Sequence, residues 1–140
     1  MQRMREKYVD TLAKLYEYAT TVYSKNQYTQ WYNTKTGGYT YSSFKGKCDS
    51  LSKKLTQYGI GAGDKVAILS QSMPNWSVAF FSIVPFGRIA IPILPDSSEN
   101  EVTNILEHSE SKVIFVSQRL AGKLSQACRD KMTLVIDIDT

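Results

Sequence analysis

Gly59-Ile60-Gly61-Ala62-Gly63-Asp64, running straight into Lys65-Val66-Ala67-Ile68-Leu69-Ser70, is the stretch whose reading decides the fold. Ahead of it, Phe44, Cys48, Leu51, Leu55 and Tyr58 recur at helical spacing and mark one inward face of a helix. Gly59 ends that helix, because a residue free to take positive φ is needed after the last turn. Gly61 and Gly63 prolong the turn, and Asp64 is placed to hydrogen-bond backbone amides before the strand. Val66 to Leu69 is an unbroken apolar run, as expected of a strand covered on both faces. A dinucleotide fingerprint also uses three glycines, but after a strand and before a helix. Here the polarity is reversed, so these glycines are a helix stop and not a phosphate cradle.

Upstream, Met4, Tyr8, Leu12, Leu15, Ala19 and Val22 predict an amphipathic helix from about Arg3 to Ser24. Tyr28 to Asn33 then reads as a strand, and Thr34-Lys35-Thr36-Gly37-Gly38 as a turn. Tyr39-Thr40-Tyr41 returns as the partner strand of a small antiparallel hairpin. Five aromatic residues here (Tyr28, Trp31, Tyr32, Tyr39, Tyr41) could form a base-stacking platform. Packing on a half-buried ribbon explains them more economically. Ser42 or Ser43 is placed to cap the helix that follows.

Downstream, Ser72 and Pro74 open a helix, with proline tolerated in its first turn. Trp76, Val78, Ala79, Phe80, Phe81, Ile83 and Val84 leave it almost no polar side, which predicts burial between the sheet and another layer. Pro85 shortens or kinks its end. Ile89 to Ile93 is a strand that Pro92 confines to an edge or an end. Ser98 and Glu101 form a capping box for the helix carrying Val102, Ile105 and Leu106. His108, the single histidine, sits in that helix's last turn, where an imidazole suits the dipole and no nucleophile or carboxylate motif accompanies it. Val113 to Val116 is a strand. Ser117 then caps a helix with Leu120, Leu124, Ala127 and Cys128 inward, and Leu134 to Ile138 closes the pattern with a strand. The alternation predicts an α/β fold: a mainly parallel sheet with helices on both faces, preceded by an N-terminal helix and a small antiparallel hairpin.

The 140 residues form a single domain spanning 1–140 with room for a real core. A hydrophobic share of 42% and a charged share of 21% are those of an ordinary globular chain. Seventeen basic residues against thirteen acidic ones give a formal +4. They are scattered without a block of like charge, which argues against a nucleic-acid footprint. Cys48 and Cys128 lack metal or redox spacing and read as buried thiols of a reducing compartment. No signal-like segment and no run of eighteen apolar residues is present, so a cytoplasmic chain, at most peripheral to a membrane, is expected. No metal-ligand cluster, nucleophile triad or phosphate loop stands out. Asp137 and Asp139 share a side of the last strand and read as solvated.

Taken together, three sets of residues resemble the beginning of an AMP-forming acyl-CoA synthetase of the adenylate-forming ligase superfamily. They are Thr40, Tyr41 and Phe44; then Gly59, Gly63, Asp64, Val66 and Ala67; then Pro74-Asn75-Trp76 with Gly87 and Pro92 a helix later. The likeness covers roughly Val9 to Ile138. Its wording around Pro92-Ile93-Leu94-Pro95-Asp96-Ser97-Ser98 is similar to the long-chain fatty-acid branch.

The resemblance implies a parent ligase that uses ATP and magnesium to turn a fatty acid into an acyl-adenylate, then passes the acyl group to coenzyme A. It also implies that this chain is an incomplete N-terminal subdomain of the AMP-binding fold. The phosphate loop, ribose-binding acid and lysine-bearing lid of the family lie downstream of the matched region. The chain alone is therefore expected to be inactive and to bind none of these cofactors tightly. Its partners would be the remainder of the same polypeptide and other copies of itself, met through exposed apolar surface. Within the resemblance, Arg119 and Lys123 are the candidate contacts to coenzyme A phosphates, against the plainer reading of an exposed basic helix. Two other readings stay open: an amino-acid-adenylating or acyl-carrier-protein ligase domain, and a self-contained flavodoxin-like binding module.

Overall fold

A computed structural model describes residues 9–30 and 37–140. Four parallel strands form its main sheet: β3 (Lys65–Leu69), β4 (Ile89–Ile93), β5 (Val113–Val116) and β6 (Leu134–Asp137), in the order β4-β3-β5-β6. Lys65 lies opposite Ile89, Val66 opposite Val113, and Val113 opposite Leu134. A separate antiparallel pair joins β1 (Gln27–Thr29) to β2 (Tyr39–Thr40). The described residues also form five α-helices: α1 (Leu12–Val22), α2 (Tyr41–Gln57), α3 (Pro74–Ile83), α4 (Glu99–Ser109) and α5 (Gln126–Lys131). None of the described helices is long and apolar enough to cross a membrane.

The period-two alternation of the central strands sorts their side chains into two cores. Ala67, Leu69, Ile114 and Val116 meet Val102 and Leu106 of α4, Cys128 of α5, and Leu120 and Leu124 between them. Val66, Ile68, Val113 and Phe115 face the other way, onto Leu55 of α2, Ile60, and Ala79 and Ile83 of α3. A third, aromatic cluster joins Tyr16 of α1 to Phe44, Cys48 and Val78. This is the second layer expected over α3, whose Trp76, Phe80 and Phe81 are half-buried rather than sealed in.

Several boundaries differ from the sequence reading. Thr11 caps α1 by accepting the Lys14 amide, so the helix starts at Leu12; the expected start at Arg3 lies outside the described residues. Its buried face is Tyr16 and Thr20, while Leu12 and Val22 are exposed. The Tyr16 ring stacks on Phe81 and its hydroxyl donates to Asp49. That aromatic anchor turns the helix away from the aliphatic stripe. Tyr41 is helical, and the cap of α2 is Thr40, which accepts the Ser43 amide, in place of Ser42 or Ser43. Trp31–Thr36 of the expected hairpin lie outside the described residues.

Tyr58 stands out in solvent instead of facing inward. The start of α3 is capped by no side chain, because Met73 and not Ser72 precedes Pro74. Pro85 ends it through a short 3-10 turn (Val84–Phe86), and Gly87 reverses the chain at φ 82°. Pro92 sits on an edge strand, and the Ser98–Glu101 capping box is present in both directions. The single helix expected after Ser117 is two pieces, a 3-10 run (Gln118–Lys123) and then α5, which Ser125 caps. Leu120 and Leu124 point into the core across that break, whereas Ala127 is exposed.

Candidate functional site

Parallel strands all deliver their carboxyl ends to one edge of the sheet. The chain leaves β3 for β4 on one side, then returns to β5 on the other. The crevice between the ends of β3 and β5 is thus the topological switch point, where open α/β sheets gather their ligands. Ser70 and Gln71 follow β3 there, and Ser117 and Gln118 follow β5. The Ser117 amide donates to the Leu69 carbonyl at 3.1 Å. Ser117 is fully buried, yet its Oγ has no hydrogen-bond partner, and neither has Gln71 Oε1. Among the described residues these are the two buried side-chain polar atoms left without one. Buried oxygens are normally paired, so their coincidence at the switch point singles out this edge.

The end of β6 organises the same edge. Asp139 accepts the Gln118 amide at 2.7 Å, and Asp137 accepts the Gln118 side-chain amide at 2.8 Å. The Asp139 amide in turn donates to Asp137 at 2.8 Å. The two aspartates are exposed, as expected, but they also occupy the first free amide of the turn after β5 with a carboxylate. Arg119 and Lys123 both lie on that turn. Arg119 is exposed and bonded to nothing among the described residues. Lys123 reaches across to the end of β4, where its ammonium donates to the Pro95 carbonyl at 2.5 Å.

The amino edge is built differently. Asp64 accepts the Gly61 amide at 2.8 Å and pairs with Lys112 at 2.8 Å. Lys112 and the Gly61 amide together hold its carboxyl below the ordinary carboxylate value. Arg88, buried just before β4, makes six hydrogen bonds: to the carbonyls of Ser52, Ile60 (twice) and Ser82 and to the hydroxyls of Ser52 and Thr56. Burial draws the guanidinium below its usual value and the Asp64 charge works against that. Arg88 fastens the end of α2 to the end of α3. The sequence reading did not single it out; its one signal is a cation set between Gly87 and an apolar strand. Cys48 is buried, with burial pushing its thiol up to about 12, and Cys128 is buried and free. His108 is exposed at the end of α4.

A cleft of about 380 Å³ opens beside this edge, between α2, α3 and β6. Leu51, Val78, Ala79, Phe115 and Ile136 form its apolar floor, with Lys47, Ser50 and Lys54 of α2 along one rim.

The sequence profile of a family described as AMP-binding enzyme matches residues 18–140. Over 101 residues the chain is 26% identical to YdaB, a candidate acyl-CoA ligase of Bacillus subtilis, covering 72% of this chain and 20% of that protein. Over 61 residues it is 36% identical to the long-chain-fatty-acid–CoA ligase FadD15 of Mycobacterium bovis, covering 44% of this chain and 10% of that one. Among solved structures, the N-terminal domain of FACL13 from Mycobacterium tuberculosis superposes with a TM-score of 0.79 at 23% identity. That alignment covers 94% of this chain and 34% of the other, and it bears on the fold alone. The chain spans a fifth or less of the length of these curated relatives.

Proposed function

The chain belongs to the AMP-binding enzyme family, and on that premise we propose that it is the opening part of an AMP-forming acyl-CoA synthetase acting on a fatty acid. The observation that carries this reading is the family match over residues 18–140, and the 36% identity over 61 residues to a long-chain-fatty-acid–CoA ligase supports a fatty-acid substrate. The parent would join the fatty acid to AMP at the expense of ATP, release pyrophosphate, and hand the acyl group to the thiol of coenzyme A.

The described residues do not fit magnesium or the triphosphate. No three His, Cys, Asp or Glu side chains among them converge. The glycine turn lies at the amino edge, and the aspartates of the carboxyl edge are bound to Gln118. No step of the adenylation is therefore assigned to these residues; the remainder of the polypeptide would supply that chemistry. Coenzyme A is a separate matter. Arg119 has the free guanidinium that a phosphate contact needs, and Lys123 could share its ammonium between a phosphate and the Pro95 carbonyl.

The test is ATP–pyrophosphate exchange by the parent polypeptide. Exchange that depends on a fatty acid, followed by thioester formation with coenzyme A, is the expected result. Exchange supported by amino acids and not by fatty acids would overturn it in favour of a peptide-synthetase domain. Residues 1–140 alone should release no pyrophosphate from ATP, magnesium and fatty acid. In the parent, Arg119→Ala should raise the KM for coenzyme A and leave the exchange reaction unchanged; an unchanged KM would remove Arg119 from the site.

A further inference from the structure

A run of hydrogen bonds ties the end of β6 to the turn after β5 and stops one residue short of Arg119. It begins at β2, where the Tyr39 hydroxyl donates to Asn75 Oδ1 at 2.5 Å. Asn75, in the first turn of α3, donates through Nδ2 to the Ile138 carbonyl at 2.7 Å. The Ile138 amide donates to the Val116 carbonyl at 3.1 Å, so the backbone just past β6 is held on both sides. Asp139, next along, accepts the Gln118 amide at 2.7 Å, and its own amide donates to Asp137 at 2.8 Å. Asp137 in turn accepts the Gln118 side chain at 2.8 Å. Lys123 pins the far end of the turn to the Pro95 carbonyl. Between these two anchors Arg119 is exposed and bonded to nothing among the described residues. A free guanidinium on a fixed backbone is preorganised, because an anion that meets it does not also have to order the segment behind it. Asp139 already fills the Gln118 amide, so an anion at this turn is met by the Arg119 side chain and not by that backbone group.

We propose that Asp139 and Asn75 are positioning residues for the coenzyme A phosphate. Neither touches it; together they fix the turn that offers Arg119 to it. The assignment rests on the ligase reading above and on Arg119 as its phosphate contact. The plainer role for the same bonds is to steady the end of β6 and nothing more. The two roles differ in their consequences. A purely structural tie affects stability, or every step of the reaction alike. A positioning tie acts on coenzyme A alone, and only while Arg119 is present.

The test is steady-state kinetics of thioester formation by the parent polypeptide. Asp139 is exposed, so its replacement opens no cavity. Asp139→Ala should raise the KM for coenzyme A several-fold. It should leave kcat unchanged, and likewise the fatty-acid-dependent ATP–pyrophosphate exchange, which uses no coenzyme A. Asp139→Asn keeps an oxygen for the Gln118 amide and should return the KM to near the parent value. Asn75→Ala should raise it less, since Asn75 acts from further back along the same run. With Arg119→Ala already in place, Asp139→Ala should raise the KM no further, because the group it positions is gone. An unmoved KM in any of the three alanine variants overturns the assignment. So does failure of Asp139→Asn to restore it, a full further rise on top of Arg119→Ala, or an equal fall in exchange. An unaltered parent that forms no thioester from a fatty acid would sink the ligase reading and this assignment together. A parent that forms it while the variants fail as stated would sink the assignment alone.

Discussion

The two edges of the main sheet are made from the same strands and finished in opposite ways. At the amino edge the buried and half-buried charges are satisfied within the chain: Asp64 by Gly61 and Lys112, Arg88 by five acceptor atoms around α2, Ile60 and α3. At the carboxyl edge Ser117 Oγ and Gln71 Oε1 are buried without partners, and the adjoining cleft carries two unpaired lysines. A self-satisfied edge is what stability alone requires, since an unpaired buried polar group costs about 1–3 kcal/mol. The carboxyl edge leaves two such groups without partners among the described residues. The difference teaches which edge of this fold satisfies its own polar groups and which does not.

The comparison breaks most visibly at Arg88. Arg88→Met keeps much of the aliphatic stem but strips the donors from the carbonyls of Ser52, Ile60 and Ser82. It should cost about 3 kcal/mol, read as a lower urea midpoint at unchanged slope. Gly59→Ala is next. At φ 79° an alanine is strained by about 1–2 kcal/mol, and because its Cβ would meet nothing within 4 Å the loss is one of backbone conformation alone.

The Asp64–Lys112 pair should contribute less, and with a defined pH signature. The carboxyl is depressed in the folded state, so its contribution is present above the ordinary carboxylate pKa and is lost as the pH falls through the lower folded value. Asp64→Asn should therefore flatten the stability–pH curve below about pH 4; an unaltered curve would remove the pair from the amino-edge account. The smallest effect belongs to the other edge. Ser117→Ala deletes an oxygen that has no partner and should leave the isolated chain within about 1 kcal/mol of its parent sequence, on the stabilising side. A clear loss there would show that Ser117 is satisfied after all.

These outcomes also mark what was legible in the residues. Strand periodicity and turn chemistry act over a few positions, which is why β4, β5 and the Ser98–Glu101 box match their expected places. Gly59 and Asp64 act through backbone geometry next door and could be read in the same way. What escaped depends on distant partners. The buried face of α1 is set by Phe44, Phe81 and Asp49, far along the chain. Five of the six Arg88 hydrogen bonds reach acceptors 28 to 36 residues upstream. The break of the last helical stretch at Leu124 lets two leucines reach the core, which spacing alone does not reveal. Of the candidate site, Arg119 and Lys123 were named in advance, through the resemblance and not through any local pattern. The orphaned oxygens and the cleft were not, because burial of a polar atom is a property of the assembled fold.

Amide hydrogen exchange, compared between residues 1–140 alone and the parent polypeptide, tests most directly whether the two edges differ as described. The account predicts that amides at 116–118 and 136–139 gain protection in the parent, while those at 60–64 and 88–89 are equally protected in both. Equal protection at the carboxyl edge in the two proteins, or a gain confined to the amino edge, would contradict it.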